Sequence, residues 1–111
     1  MSSWQRTIMI VIKAILQAKS GMEISLEELL KGIIPSVQTE KDTIVYTLHR
    51  SQEHMGRFLF YEKYKDQQAC NDHMTTPYLQ ELLRQCKDLL SEPPEIELFE
   101  EIAGFTRTVN S

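Results

Sequence analysis

The sequence predicts an α+β domain of the ferredoxin-like type: a four-stranded antiparallel sheet with helices on one face. Three observations predict it. Along the 111 residues the hydrophobic patterns run strand, helix, strand, strand, helix pair, strand, the split βαβ order. The two middle strands are joined by a short polar loop, which favours antiparallel pairing. Hydrophobic residues make up 41% and charged residues 25%, ordinary for one globular core, and the chain is too short for a second. One domain is therefore expected over residues 1–111, with 1–6 as an N-terminal extension and 106–111 as a tail.

Residues 7–18 read as the first strand. Ile8, Ile10, Ile12 and Ala14 fall on one face and Met9, Val11 and Ile15 on the other, as in a strand buried on both sides. Ser20-Gly21 ends it. A helix follows, with Ser25 and Glu28 as a candidate capping box and Ser20 and Glu23 as a second. Leu26, Leu29, Leu30, Ile33, Ile34 and Val37 recur at three and four, marking its core face. Pro35 predicts a kink, and the helix should stop within residues 39–42. Residues 43–50 and 57–65 alternate as the second and third strands, around a polar loop ending in Gly56. On the third strand Phe58, Phe60, Glu62 and Tyr64 share a face.

Asp66 is a good N-cap for a short helix over residues 67–75. Thr76-Pro77 opens the next helix, where the missing proline N–H costs nothing. Tyr78, Leu79, Leu82, Leu83, Cys86, Leu89 and Leu90 form its apolar face, and Pro93-Pro94 ends it. Residues 95–105 alternate as the fourth strand.

Helices on one face leave the other side of strands one and three uncovered, and that side is apolar. A large exposed apolar face is rare on a soluble monomer. A second copy of the same face is its simplest cover, so a homodimer through the open sheet face is expected.

Twelve Lys and Arg against sixteen Asp and Glu leave a net charge of −4, which disfavours a nucleic-acid partner. The run Ile8-Met9-Ile10-Val11-Ile12 is too short for a signal-peptide core or a membrane span, so a cytoplasmic protein without membrane attachment is expected. Cys70 and Cys86 match no zinc spacing and read as reduced thiols. His49, His54 and His73 share no ligand spacing, so no metal site is expected, and no phosphate loop or GxSxG elbow is present.

Two segments carry a family resemblance. Phe60-Tyr61-Glu62-Lys63-Tyr64-Lys65-Asp66, followed by His73-Met74-Thr75-Thr76-Pro77-Tyr78, resembles the antibiotic biosynthesis monooxygenase (ABM) family, in which a strand ending in Glu-x-Trp precedes a short helix and His-x-x-Thr-Pro-His. The Glu40-Lys41-Asp42 turn before Tyr46 resembles the family's Glu-Pro-Gly-Cys turn. The resemblance covers residues 8–102. Tyr64 stands in place of the Trp, Tyr78 in place of the second His, and Lys41-Asp42 in place of Pro-Gly. The resemblance implies a dimeric α+β barrel. It also implies members that oxygenate quinols or polycyclic phenols without metal, flavin or haem, beside haem-degrading enzymes and small isomerases. Haem degradation would require an asparagine in the first strand and a tryptophan in the third; neither is there, and the single Trp4 lies in the extension.

An oxygenase without a cofactor takes its electrons from the substrate. Deprotonating a quinol gives an anion rich enough in electrons to reduce O₂, so the protein must supply an apolar pocket, a base and a donor for the oxyanion. His73 is the candidate base, since histidine titrates nearest neutral pH; the alternative is a histidine packed on the sheet and bonded to a backbone carbonyl. Glu62, on a core face, is the second candidate catalytic residue, as a partner orienting His73 or as a structural carboxyl bonding a helix amide. Tyr46, Phe60, Tyr64 and Tyr78 are candidate substrate-binding residues of a pocket between sheet and helices, the tyrosines equally being core residues. The expected function is a small cofactor-independent monooxygenase of a quinol-like or polycyclic phenol. An isomerase of a small oxygenated metabolite and a non-catalytic dimeric ligand-binding module are the alternatives.

Overall fold

The computed structural model describes residues 8–109; the expected extension, with Trp4, lies outside them. The elements follow the expected order: β1 (Ile10–Gln17), α1 (Glu23–Lys31), α2 (Ile34–Val37), β2 (Thr43–Arg50), β3 (Arg57–Tyr64), α3 (Gln67–Met74), α4 (Pro77–Cys86) and β4 (Glu95–Glu100). All pairings are antiparallel, in the order β2-β3-β1-β4, so the two βαβ halves interleave as a ferredoxin-like sheet.

The helices lie on one face. Ile10, Ile12, Ala14 and Leu16 of β1 and Phe58, Phe60 and Tyr64 of β3 meet Leu26 and Leu30 of α1, Val37 of α2, and Leu79, Leu82 and Cys86 of α4. Leu26 and Leu30 are wholly buried, each worth about 1.5–3 kcal/mol by burial alone. Gly56 closes the β2–β3 hairpin with φ +77°, and a Cβ there would lie 2.8 Å from the Glu23 side chain and 3.2 Å from the Ala18 Cβ. Only glycine meets both demands without strain.

Several local expectations are corrected. Neither capping box forms. Gly21, at φ +89°, turns the chain early enough for α1 to begin at Glu23, so Ser25 falls inside the helix, and the Glu23 carboxylate accepts the Gly21 amide at 3.0 Å. The long helix is two: α1 ends at Gly32 and α2 begins at Ile34, so the break precedes Pro35, which sits in the first turn of α2 where its missing N–H leaves no bond unmet. Asp66 caps α3 as expected, accepting the Ala69 amide at 2.8 Å. Thr76 occupies the N-cap of α4, but its hydroxyl donates backwards to the His73 carbonyl at 2.8 Å, tying α4 to the end of α3.

The fourth strand is shorter than expected, and Ile102 lies beyond it, almost fully exposed. Every residue of β4 is exposed; α4 ends at Cys86, and of this strand Ile96 lines the cavity beside Leu82 and Leu83 of α4. On the open face Val11 and Ile15 of β1, Val45 of β2 and Leu59 and Tyr61 of β3 are only half-buried, and Phe99 of β4 is exposed. The apolar character is interrupted by Lys13, Lys63 and Glu97; the Lys63 ammonium pairs with Glu101 at 2.5 Å.

Candidate active site

Alternation along β3 puts Phe60, Glu62 and Tyr64 on the helix side, and the register sets Glu62 between Ile12 of β1 and Tyr46 of β2. A carboxyl therefore stands in the middle of the covered face, 5% exposed. His73 arrives from above, in the last turn of α3, and is 1% exposed. Its ring is wedged between two phenols, with centroids 5.4 Å from Tyr46 and 5.3 Å from Tyr64.

Both ring nitrogens of His73 face carboxyls, at different distances. Nδ1 lies 3.0 Å from both carboxylate oxygens of Glu40. Nε2 lies 3.8 Å from Glu62 Oε1, beyond hydrogen-bond reach. Glu40 comes from the turn between α2 and β2, and also accepts from the Thr43 hydroxyl at 2.7 Å and from the Tyr78 phenol. Glu62 accepts from the Tyr64 phenol at 2.5 Å.

The two carboxyls are shifted in opposite directions. Burial works against charge on Glu40, but hydrogen bonds from Tyr78, Thr43 and His73 outweigh it and hold the carboxyl below the usual range. For Glu62 burial dominates and raises it, against the smaller opposing effects of Tyr64 and His73. Burial and the neighbouring Glu62 push the Tyr46 and Tyr64 phenols far above their ordinary range, so both act as neutral O–H groups. Burial and the bond to Glu40 push Tyr78 up to about 12.

Glu62 carries a prediction. Below the ordinary carboxyl value of 4.5 the group is neutral in both folded and unfolded chains and changes nothing. As pH rises through that value the unfolded chain ionises while the folded one resists, so this group lowers stability until its folded value is passed. Glu62→Gln keeps an acceptor for Tyr64 and removes the slope. Denaturant midpoints from pH 4 to 8 are expected to show the variant gaining on the parent as pH rises; a difference constant in pH contradicts the assignment.

His73, Glu62 and the Tyr46 phenol are the ionisable side chains lining an otherwise apolar cavity of about 40 Å³, among Ile12, Phe60, Leu79 and Leu82. One water needs about 10–15 Å³ by this measure, so the slot admits roughly three waters or the edge of a ring. Past Leu83, Pro94 and Ile96, which line both, the slot meets a wider and largely apolar groove of about 560 Å³. On the other side of His73 lies a polar cleft of about 200 Å³, bordered by Glu40, Asp42, Asp72 and Thr76.

Of the residues singled out by sequence, the fold brings His73, Glu62, Tyr46 and Phe60 to the slot. Tyr64 is fully buried and bonded to Glu62 without lining the slot, and Tyr78 sits on the Glu40 side. His49 and His54 are exposed, away from it. Cys70 and Cys86 are free and buried, and burial raises both thiols, Cys86 to about 11. Among the described residues no group of three or more His, Cys, Asp or Glu is arranged to hold a metal ion, and no helix is long and apolar enough to cross a membrane. Glu40 is the residue that sequence reasoning missed. Its turn carried part of the family resemblance, yet nothing in the local pattern aims its side chain at a histidine 33 positions later.

The family model for antibiotic biosynthesis monooxygenases matches residues 9–85, spanning β1 to the penultimate residue of α4 and including Glu40, Glu62 and His73. The chain belongs to the antibiotic biosynthesis monooxygenase family. Among solved structures, protein SO0527 of Shewanella oneidensis superposes with a TM-score of 0.81 at 27% identity, over 86% of this chain and 93% of that one. Rv0793 of Mycobacterium tuberculosis gives 0.82 at 19% identity, over 88% and 99%, a likeness of fold. The uncharacterized protein sll1783 of Synechocystis sp. is 27% identical over 90 residues, 81% of this chain; the chain spans 61% of the length of that relative. The matched span includes β3, α3 and most of α4, which with β1 and β2 supply most of the slot's lining. This ABM-family chain carries Tyr64 and Tyr78 there, each bonded to a carboxyl of the site.

Proposed function

We propose that this protein is a cofactor-independent monooxygenase acting on a neutral, quinol-like phenol. The observation that carries the reading is a histidine and a carboxyl at the inner end of an apolar slot with no lysine or arginine among its lining residues. Such a slot rejects anions, because nothing replaces their hydration. A phenol suits it: the ring meets Phe60 and Tyr46, and the hydroxyl approaches His73.

In the proposed reaction His73 Nε2 takes the substrate proton, and the imidazolium so formed is balanced by ionised Glu40. The substrate anion gives one electron to O₂, and the two radicals combine at carbon. The His73 imidazolium returns its proton to the peroxide so formed, and the hydroperoxide loses water together with the hydrogen of the same carbon, leaving one oxygen atom on the substrate as a carbonyl and releasing the other as water. In its protonated form, which burial favours, Glu62 donates to the developing oxyanion.

The ring of a substrate is larger than the slot, so entry requires displacement of its half-buried outer residues Met74 and Leu83. We further propose that the working unit is a homodimer through the open sheet face, with Val11, Ile15, Leu59 and Tyr61 at its centre, and that the protein, with two free thiols, is cytoplasmic.

Oxygen uptake tests the reading. Neutral reduced quinols are expected to drive uptake, and their sulfonated counterparts to give none. Turnover that continues without oxygen contradicts an oxygenase and assigns the slot to isomerisation by the same His73 and Glu62. Equal rates with the sulfonated compounds contradict the apolar slot as the site.

A further inference from the structure

Glu40 lies outside the apolar slot, yet it is the best-held charged group near it. Three donors converge on its carboxylate: Tyr78 from α4, Thr43 from the start of β2, and His73 Nδ1 from α3. Its own backbone is pinned at both ends, its amide donating to the Val37 carbonyl at 2.9 Å and its carbonyl accepting the Thr43 amide at 3.2 Å. It borders the polar cleft, where water supports a charge, whereas Glu62 lines the apolar slot, where burial opposes one. The two carboxyls flank one imidazole from opposite sides at 3.0 and 3.8 Å.

An ionised carboxylate accepts and never donates, so the nitrogen facing it must carry the proton. We propose that Glu40 is a positioning residue, clamped by Tyr78 and Thr43 so that its carboxylate holds His73 in the Nδ1-protonated tautomer and leaves the Nε2 lone pair directed at the slot. The inference rests on the reading of His73 as the base. It assigns Tyr78 a part as well: its phenol fixes the carboxylate that fixes the ring. The ring cannot escape sideways, since Tyr46 and Tyr64 stand on either side of it. A neutral amide at position 40 can both donate and accept, so it specifies no tautomer and gives no compensating charge when the ring gains a proton.

The test has two readouts. The first is the ¹⁵N spectrum of the His73 ring at a pH where it is neutral. In the parent protein it is expected to report a single tautomer protonated at Nδ1; in Glu40→Gln it is expected to report a mixture. The second is turnover of a neutral quinol. Glu40→Gln is expected to lower kcat by at least about tenfold with KM little changed, as for other carboxylates that orient a catalytic histidine. Tyr78→Phe removes one donor and keeps the carboxylate, so its loss is expected to be smaller and in the same direction. Retention of both the tautomer and kcat in Glu40→Gln overturns the proposal. So does a parent ring protonated at Nε2. Should no quinol be turned over, the functional reading fails on its own, and the ring spectrum still decides whether Glu40 sets the tautomer.

Discussion

Replacing His73 with alanine is expected to lower kcat by roughly 10²- to 10⁴-fold, the contribution of a positioned general base, with a much smaller change in KM. The apolar walls that hold the ring, Phe60, Tyr46 and Leu79, are untouched by the change, so ground-state binding survives while proton removal does not. Alanine has a second effect. It takes a donor from Glu40, whose side chain is 16% exposed, and leaves space beneath α3. Loss of stability is therefore expected too, and His73→Gln separates the two effects. Its amide can donate to Glu40 and recover stability, but it cannot accept a proton, so turnover stays low. Steady-state kinetics with a quinol, alongside denaturant unfolding of both variants, checks this. Full activity in His73→Gln removes His73 from the chemistry.

The second large effect is expected on assembly. Ile15 and Leu59 face one another across the β1–β3 ladder on the side away from the helices. In the proposed dimer both are covered by the partner's sheet. Lysine at position 59 would bury two unpartnered charges per dimer, each costing several kcal/mol, so association should weaken by at least about a hundredfold. Sedimentation velocity at micromolar concentration is expected to find the parent at twice 13.0 kDa and Leu59→Lys at 13.0 kDa. A parent protein that sediments at 13.0 kDa contradicts the dimer.

The strands were the most legible part of the sequence. Period-two alternation over 45–50 and 57–64 cannot be mistaken for a helix, and the register there follows from the short loop and Gly56; the shift between Thr43 and Val45 leaves no mark in the sequence. The same alternation put Glu62 on the core face beside Phe60 and Tyr64, where the structure has it. Helix starts were less legible. Ser25-x-x-Glu28 satisfies a capping box on paper, but Gly21 at positive φ lets the helix start three residues sooner, with Met22 at the N-cap and the Glu23 side chain against Gly56 of the β2–β3 hairpin. The covered area of the sheet was legible only in part. Alternation shows which face of β4 points toward the helices, but how far α4 extends over it depends on where the helix ends, and it ends at Cys86 although the apolar spacing continues to Leu90.

The site divides in the same way. His73 and Glu62 stood out because a titratable group on an apolar pattern demands an explanation. The resemblance to antibiotic biosynthesis monooxygenases pointed to the same block, and the family match now covers it. Tyr64 was legible as a neighbour of Glu62, but not as its hydrogen-bond donor behind the slot, since two residues on one strand face can lie side by side or one behind the other. Glu40 was hidden because a turn carries no periodicity. Its side-chain direction is set by tertiary contacts to Tyr78 and His73 that only the folded chain assembles.

For the proposed reaction a neutral phenol must reach the imidazole at the end of the apolar slot. A crystal structure of the protein soaked with a phenol that resists oxidation tests this most directly. The predicted result is a ring between Tyr46 and Leu79 with its hydroxyl about 2.6–3.2 Å from His73 Nε2. A slot that stays closed at saturating ligand, or a phenol bound only in the outer groove by Leu90 and Pro93, would contradict it.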